Sequence, residues 1–318
     1  MTAAVIVEPR RVEIRDVSLP VPGSHQVLVR VEGCGVCASN IPPWEGRPWF
    51  QYPLAPGQLG HEGWGRVVQV GNETIGLTPG DRVGFISNHA YAQYDIIDAN
   101  SVVKLPVSLN DRPFPAEPLG CAYNIFQRSG IDVDDCVAIV GIGFLGALLI
   151  QMANAVGARV IAIARRPFAL ALAKRMGATE TVLMDDHHRI IEEVGQLTGG
   201  AFCDVVIEAT GKQWPLDLSA ELTRERGRMV VAGYHQDGLR QINMQLWNWR
   251  GLDVINAHER DPLVYLEGMR QAVSAIEIGF LDPTALYTHR FGLAELATAL
   301  NISAERPDGF IKALIINE

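Results

Sequence analysis

The sequence predicts a two-domain α/β chain, in which a β-barrel or β-sandwich domain is split by an inserted domain built on a doubly wound parallel sheet. Three observations carry this. The first third alternates short apolar runs with Pro and Gly punctuation, at residues 3–7, 26–31, 65–70 and 82–86, which read as strands and turns. From about Gly130 the rhythm changes, and apolar runs at 137–140, 160–164, 205–209 and 229–232 alternate with helix-compatible stretches. That spacing suits βαβ units and a parallel sheet. After Asp282 short strand-like runs return and close the chain at 313–316. The expected division is 1–125 and 281–318 for the split β domain, and 126–280 for the insertion.

Length agrees, since 318 residues is about two domains at ~150 residues each. Hydrophobic residues at 48% and charged residues at 20% exclude disorder and collagen-like repeats. A net charge of −9 disfavours a broad nucleic-acid surface, which needs a dense basic face. The most apolar stretch, 136–152, is broken by glycines and is shorter than the ~20 residues that cross a bilayer. The N-terminus shows no basic region followed by an apolar core, so no secretory signal is expected. Five cysteines, odd in number and sparse, argue against a disulfide framework and for a reducing, cytoplasmic setting.

The inserted domain opens on its most informative segment. The apolar run Cys136-Val-Ala-Ile-Val140 leads directly into Gly141-Ile-Gly-Phe-Leu-Gly146, and a helix-compatible stretch follows at 147–156. Gly141 permits a tight turn, Gly143 lets backbone approach a pyrophosphate, and Gly146 allows close helix–strand packing. With strand and helix in the required order, Gly141, Gly143, Phe144, Leu145 and Gly146 read as a dinucleotide cradle at a helix N-terminus. A ligand-free Gly-rich turn is the alternative. Where NAD sites place an acidic residue for the ribose 2′-hydroxyl, the next strand ends at Ala164 and is followed by Arg165-Arg166. Two guanidinium groups there suit a 2′-phosphate, so NADP is expected over NAD. Two solvated arginines are the alternative, although cations at a helix start oppose its dipole.

The first domain carries a metal-type constellation: Cys34-Gly-Val-Cys37, Ser39, His61-Glu62 and Glu117. Cys, His and Glu are the ligands of tetrahedral zinc, and catalytic sites use three of them with one position open. Cys-x-x-Cys alone also fits a redox dithiol or half of a structural zinc site. A redox pair prefers a helix start beside a βαβ unit, and no second Cys-x-x-Cys completes a four-cysteine site.

Together these motifs resemble the medium-chain dehydrogenase/reductase superfamily, in its zinc-dependent alcohol and polyol dehydrogenase branch, over nearly the whole chain. Gly33-Cys-Gly-Val-Cys-Ala-Ser39 resembles that family's first ligand motif, Gly60-His-Glu-Gly-Trp-Gly65 its second, and Gly80-Asp-Arg-Val83 its post-barrel turn. Glu117-Pro-Leu119 resembles the polyol branch, and 141–146 the coenzyme loop. The resemblance implies a GroES-like β-barrel catalytic domain with an inserted Rossmann domain. It implies zinc held by Cys37 and His61 with Glu62 and Glu117, and Ser39 hydrogen-bonding the substrate oxygen and moving its proton. Thr210 and Gly211 would lie along the coenzyme, with Cys34 and Cys121 as bystanders. The implied partner is a small-molecule alcohol or carbonyl substrate, and the implied assembly is a homodimer or homotetramer.

Three departures qualify it. The structural-zinc lobe is deleted, since Gly84 runs almost directly to Ala90-Tyr-Ala-Gln-Tyr94, so one zinc is expected rather than two. Pro42 replaces a relay His, and Asn40 stands where relatives carry Asp. Two further readings stay open: a zinc-free NADPH-dependent quinone or enoyl reductase of the same superfamily, and a non-catalytic NADP-binding sensor. Trp44, Trp49 and Phe50 either line a substrate pocket or pin a Pro-rich loop. Trp247 and Trp249 suit either a subunit interface or a core. His89 and His187-His188 read as surface polar groups.

Overall fold

The computed structural model describes residues 1–317; Glu318, the last residue of the expected second β segment, lies outside them. The chain forms two compact units. The first comprises Met1–Gly120, Asp261–Glu277 and the chain from Thr284 onward; the second comprises Cys121–Arg260 and Ile278–Pro283.

In the first unit, β1 (Thr2–Glu8) and β2 (Arg11–Asp16) form an antiparallel ribbon. The main sheet is built from β3 (Gln26–Gly35), β4 (Glu62–Val70), β5 (Arg82–Phe85), β6 (Tyr94–Asp98) and β7 (Val102–Lys104). In β3 the side chains of Val27, Val29 and Val31 are buried while Arg30 is exposed, the period-two pattern of a half-buried strand. β4 begins at Glu62, earlier than the 65–70 run implied, because Gly63, Trp64 and Gly65 extend its pairing with β3. Arg82, buried in β5, keeps its charge satisfied through Glu32 at 2.6 Å. A short helix, α1 (Ile41–Glu45), and the longer α2 (Ala116–Ser129) follow β3 and β7 in the chain.

The second unit is a six-stranded parallel sheet. Its strands are β8 (Cys136–Val140), β9 (Arg159–Ala164), β10 (Glu180–Leu183), β11 (Cys203–Glu208), β12 (Thr223–Val231) and β13 (Asp253–Asn256), in the order β10-β9-β8-β11-β12-β13. The order reverses between β8 and β11, the switch point where doubly wound sheets bind ligands. Strands of such a sheet are covered on both faces and read as continuous apolar runs. Val137 to Val140 and Val160 to Ile163 are accordingly buried to the last side chain. The crossovers are α3 (Phe144–Ala155), α4 (Pro167–Arg175), α5 (His187–Leu197), α6 (Gln213–Leu222) and α7 (Met244–Arg250). His187 and His188 open α5, which Asp186 caps by accepting from Arg189 N at 2.9 Å.

The chain then runs through α8 (Pro262–Glu277), β14 (His289–Gly292), α9 (Leu296–Glu305) and β15 (Ala313–Ile316). β15 pairs with β3 and so brings the C-terminal segment into the first sheet. The sequence division places α8 in the insertion, yet it belongs to the first unit. Gly120 of α2 explains this: a Cβ there would stand 2.8 Å from Met269 N, so the bare glycine lets α8 pack at backbone distance. No helix among the described residues is long and apolar enough to cross a membrane.

Candidate metal centre and coenzyme loop

The antiparallel pairing of β3 with β4 sets Gly35 opposite Glu62 and Cys34 opposite Gly63. Cys37 follows β3 at the start of a 3-10 turn, Ala38–Asn40, and His61 immediately precedes β4. The two ligand motifs therefore converge by register. The ligand atoms of Cys37, His61 and Glu62 all lie within 4.8 Å of one another. Gly35 makes room for this, since a Cβ there would sit 1.8 Å from Glu62 Oε2.

Hydrogen bonds orient each donor. His61 Nδ1 donates to Leu59 O at 2.8 Å, which orients the ring and leaves Nε2 as the nitrogen directed at the cluster. Ser39 Oγ lies 3.5 Å from that Nε2. Asn40, buried, accepts from Cys37 N at 3.0 Å and from Tyr91 Oη at 2.9 Å, and its Nδ2 donates to Leu59 O at 3.0 Å. One amide thus ties the Cys37 turn to the segment leading into His61. It needs both a donor and an acceptor, which a carboxylate does not offer; this gives Asn40 its role.

The centre is rich in negative charge. Burial opposes protonation of His61, but the neighbouring Cys37, Glu117 and Glu62 outweigh it and push its pKa up to about 10. Glu62 is fully buried, and its Oε1 accepts from Lys312 Nζ at 2.7 Å. Its Oε2 lies 2.5 Å from the same Nζ but makes no hydrogen bond. Lys312 is also buried; burial disfavours its charge, yet Glu62 and Cys37 hold its pKa above the usual lysine value. A soft sulfur, an imidazole nitrogen whose proton a cation would displace and a carboxylate form a donor set that fits zinc.

Glu117 stands outside that cluster. It lies in the first turn of α2, and its Oε1 accepts from Tyr265 Oη at 2.8 Å. Cys34 is buried, with Sγ 3.4 Å from Gly35 O, and Cys121 is half-buried in α2. Trp44 is fully buried and donates to Asn301 Oδ1 at 2.9 Å, so it pins its segment, whereas Trp49 is 62% exposed. His89 is exposed.

In the second unit, the glycine segment joins β8 to α3 as its spacing implies. Gly141 has φ +103°, and a Cβ there would meet Thr210 Cγ2 at 2.4 Å. A Cβ on Gly146 would stand 2.2 Å from Gly141 O, so the helix abuts the strand at backbone distance. At Gly143 a Cβ would meet nothing within 4 Å, leaving open space before the first turn of α3. No side chain caps that turn, where Phe144 and Leu145 present the helix N-terminus. An uncapped N-terminus beside an open glycine fits a pyrophosphate. Across the switch point, fully buried Glu208 at the end of β11 accepts from Thr210 N at 2.7 Å and Gly211 N at 2.9 Å. Its Oε2 accepts from His235 Nε2 at 3.0 Å, and His235 Nδ1 accepts from Arg240 Nε at 2.8 Å. Ala164 ends β9 buried; Arg165 is exposed, and Arg166 is the N-cap residue of α4.

Two family models match this chain: the alcohol dehydrogenase GroES-like domain over residues 23–107, and the zinc-binding dehydrogenase domain over 145–273. An alcohol dehydrogenase of Rhizobium meliloti is 31% identical over 267 residues, covering 73% of this chain and 77% of that protein. The chain belongs to the zinc-binding medium-chain dehydrogenase superfamily. It is an oxidoreductase of the GroES-plus-Rossmann architecture. The erythritol/L-threitol dehydrogenase of Mycolicibacterium smegmatis is 29% identical, covering 99% of the chain and 97% of that protein. A structure from Sinorhizobium meliloti, described as a zinc-binding dehydrogenase bound to NADP, superposes with a TM-score of 0.84 at 26% identity. It covers 99% of the chain and 98% of that structure.

Four residues around the candidate sites escape motif reading. Lys312 is visible only as a lone cation in the apolar run Phe310-Ile-Lys-Ala-Leu-Ile315. Tyr91, Tyr265 and the acceptor role of Glu208 leave no local signal.

Proposed function

We propose that the chain is a zinc-dependent alcohol or polyol dehydrogenase that moves a hydride between a substrate hydroxyl carbon and NADP(H), with one catalytic zinc per chain. The observation that carries this is the convergence of Cys37, His61 and Glu62. Zinc held there supplies Lewis acidity to the substrate oxygen, and the nicotinamide supplies the hydride chemistry. The chain's own groups position and move the proton. Ser39, beside His61, hydrogen-bonds the substrate hydroxyl and relays its proton in the oxidation direction, passing its own hydroxyl proton on to water or a coenzyme ribose hydroxyl. Leu59 O orients the His61 ring, and Asn40 fixes the turn that carries Cys37 and Ser39. Glu117 completes the donor set, with the Tyr265 hydroxyl holding its carboxylate in place. Gly143 and the α3 N-terminus hold the pyrophosphate, Thr210 and Gly211 border the coenzyme on the Glu208 side, and Arg165 and Arg166 receive the 2′-phosphate.

Elemental analysis of protein purified without chelator, paired with NADP reduction over a panel of alditols and simple alcohols, tests the reading. About one zinc per chain with turnover on part of the panel is expected. No zinc after supplementation, together with NADPH-dependent reduction of a quinone or enone, would favour the zinc-free reductase.

The coenzyme preference has its own test. A charge-assisted hydrogen bond contributes ~1.5–3 kcal/mol, so one such bond to the 2′-phosphate gives roughly tenfold or more. Arg165→Ser with Arg166→Ser should erase most of the NADP advantage in kcat/KM and leave NAD use nearly intact. Kinetics with both coenzymes at fixed ionic strength checks this, because exposed charges are screened by salt. A native enzyme that works as well with NAD would show the two arginines pointing into solvent.

Tyr265→Phe tests Glu117. Partners behind a metal ligand typically contribute ~10–100-fold in metal affinity, so zinc affinity by chelator competition should fall by about tenfold. Unchanged affinity would remove Glu117 from the donor set.

A further inference from the structure

The second unit carries a pair of thiols outside both sites. Cys136 opens β8 and Cys203 opens β11, which are neighbours in the sheet, with Val137 paired to Val205. The strand β11 is irregular between Cys203 and Val205, and the Cys203 side chain packs in the same core cluster as Cys136. The side chains already face each other: Cys136 Sγ and Cys203 Sγ are 3.8 Å apart. The pair is held at this end of the sheet, since Cys136 N donates to Asp204 Oδ2 at 2.8 Å. Cys136 is half-buried and accessible to solvent; Cys203 is fully buried.

We propose that Cys136 and Cys203 are a dithiol modification site that reacts with low-molecular-weight disulfides and closes to a reversible intrachain disulfide between β8 and β11. The accessible sulfur is also the reactive one. Its hydrogen bonding with Cys203 favours the Cys136 thiolate, burial opposes it, and Arg159 on the neighbouring strand adds to the hydrogen bond, so its pKa lies below the usual thiol value. The Cys203 thiol is pushed up by that same hydrogen bond and by burial. Acidic neighbours Asp204 and Glu180 face the pair as well and partly offset Arg159. Attack therefore begins at Cys136: its sulfur bonds to one sulfur of the oxidant R–S–S–R and expels R–S⁻, which takes up a proton. Cys203 then loses its proton to solvent and attacks Cys136 Sγ, expelling the second R–S⁻. The chain loses two hydrogens and two electrons, and the oxidant becomes two thiols. Forming the S–S bond closes the two sulfurs from 3.8 Å to ~2.05 Å.

The test uses the full-length, zinc-loaded protein and oxidised glutathione as the probe. Titration under denaturing conditions should fall from five thiols to three, with intact mass reduced by two hydrogens and no glutathione retained. Tryptic digestion should join peptide 129–159 to peptide 190–212, and dithiothreitol should separate them. Cys203→Ser should instead trap one glutathione on Cys136, whereas Cys136→Ser should take up none at Cys203. Five remaining thiols, a disulfide mapped to other cysteines, or a Cys203→Ser protein that stays unadducted would each overturn the proposal.

Discussion

Cys37→Ser should strip zinc from the protein and lower turnover by about a thousandfold or more. The Lewis acid at such a centre contributes several kcal/mol to the transition state, and each ~1.4 kcal/mol is a factor of ten. Cys34→Ser is the matched control. Cys34 lies three residues away, fully buried, with its sulfur directed at Gly35 O rather than at the cluster. A hydroxyl can make that contact, so this variant should keep both metal and activity. Elemental analysis and steady-state rates on the two variants decide the assignment, and equal loss of metal in both would show that the ligand thiol is misassigned.

Ser39→Ala should reduce kcat by roughly a hundredfold, the usual contribution of a positioned acid–base group. Zinc content and coenzyme affinity should hardly change, because neither Cys37 nor His61 depends on the serine for its orientation: Asn40 and Leu59 O supply that. Stopped-flow rates of NADPH formation, with zinc content measured on the same sample, separate a lost proton path from a damaged site. Wild-type kcat in Ser39→Ala would transfer the proton step to another group. The structure makes an alternative at the neighbouring relay position inert, since Pro42 is buried in α1 and has no ionisable atom.

The parts of these sites that the sequence discloses are those whose chemistry is local. The 141–146 loop, the Cys37 turn and the His61-Glu62 pair each need particular residue types within a few positions, and each folds as its spacing requires. What stays hidden depends on contacts far along the chain. Lys312 reaches Glu62 across 250 residues, and Tyr265 reaches Glu117 across 148. Nothing near either residue signals its partner. The change of Asp to Asn at position 40 has no local signal either, because the three hydrogen bonds that need an amide reach Cys37, Leu59 and Tyr91. The place of α8 was hidden for a related reason. Its amphipathic pattern marks a helix but not its neighbour, and the Gly120–Met269 approach that settles the matter is tertiary.

The Glu62–Lys312 pair also carries a timetable. As the ribosome makes the chain, the carboxylate appears 250 residues before the ammonium that balances it. At ~5–20 residues per second that interval is roughly 12–50 s. Throughout it the edge of β3 that β15 will occupy is open, and Glu62 has no counter-charge to follow it into the interior. The segment spanning Cys121–Arg260 is complete well before then. A parallel sheet with its own core has time to form while the two arms of the barrel wait for each other. β15, made after the whole Cys121–Arg260 segment, both pairs with β3 and brings in the lysine that neutralises the buried Glu62, so birth order places the assembly of the candidate metal centre late.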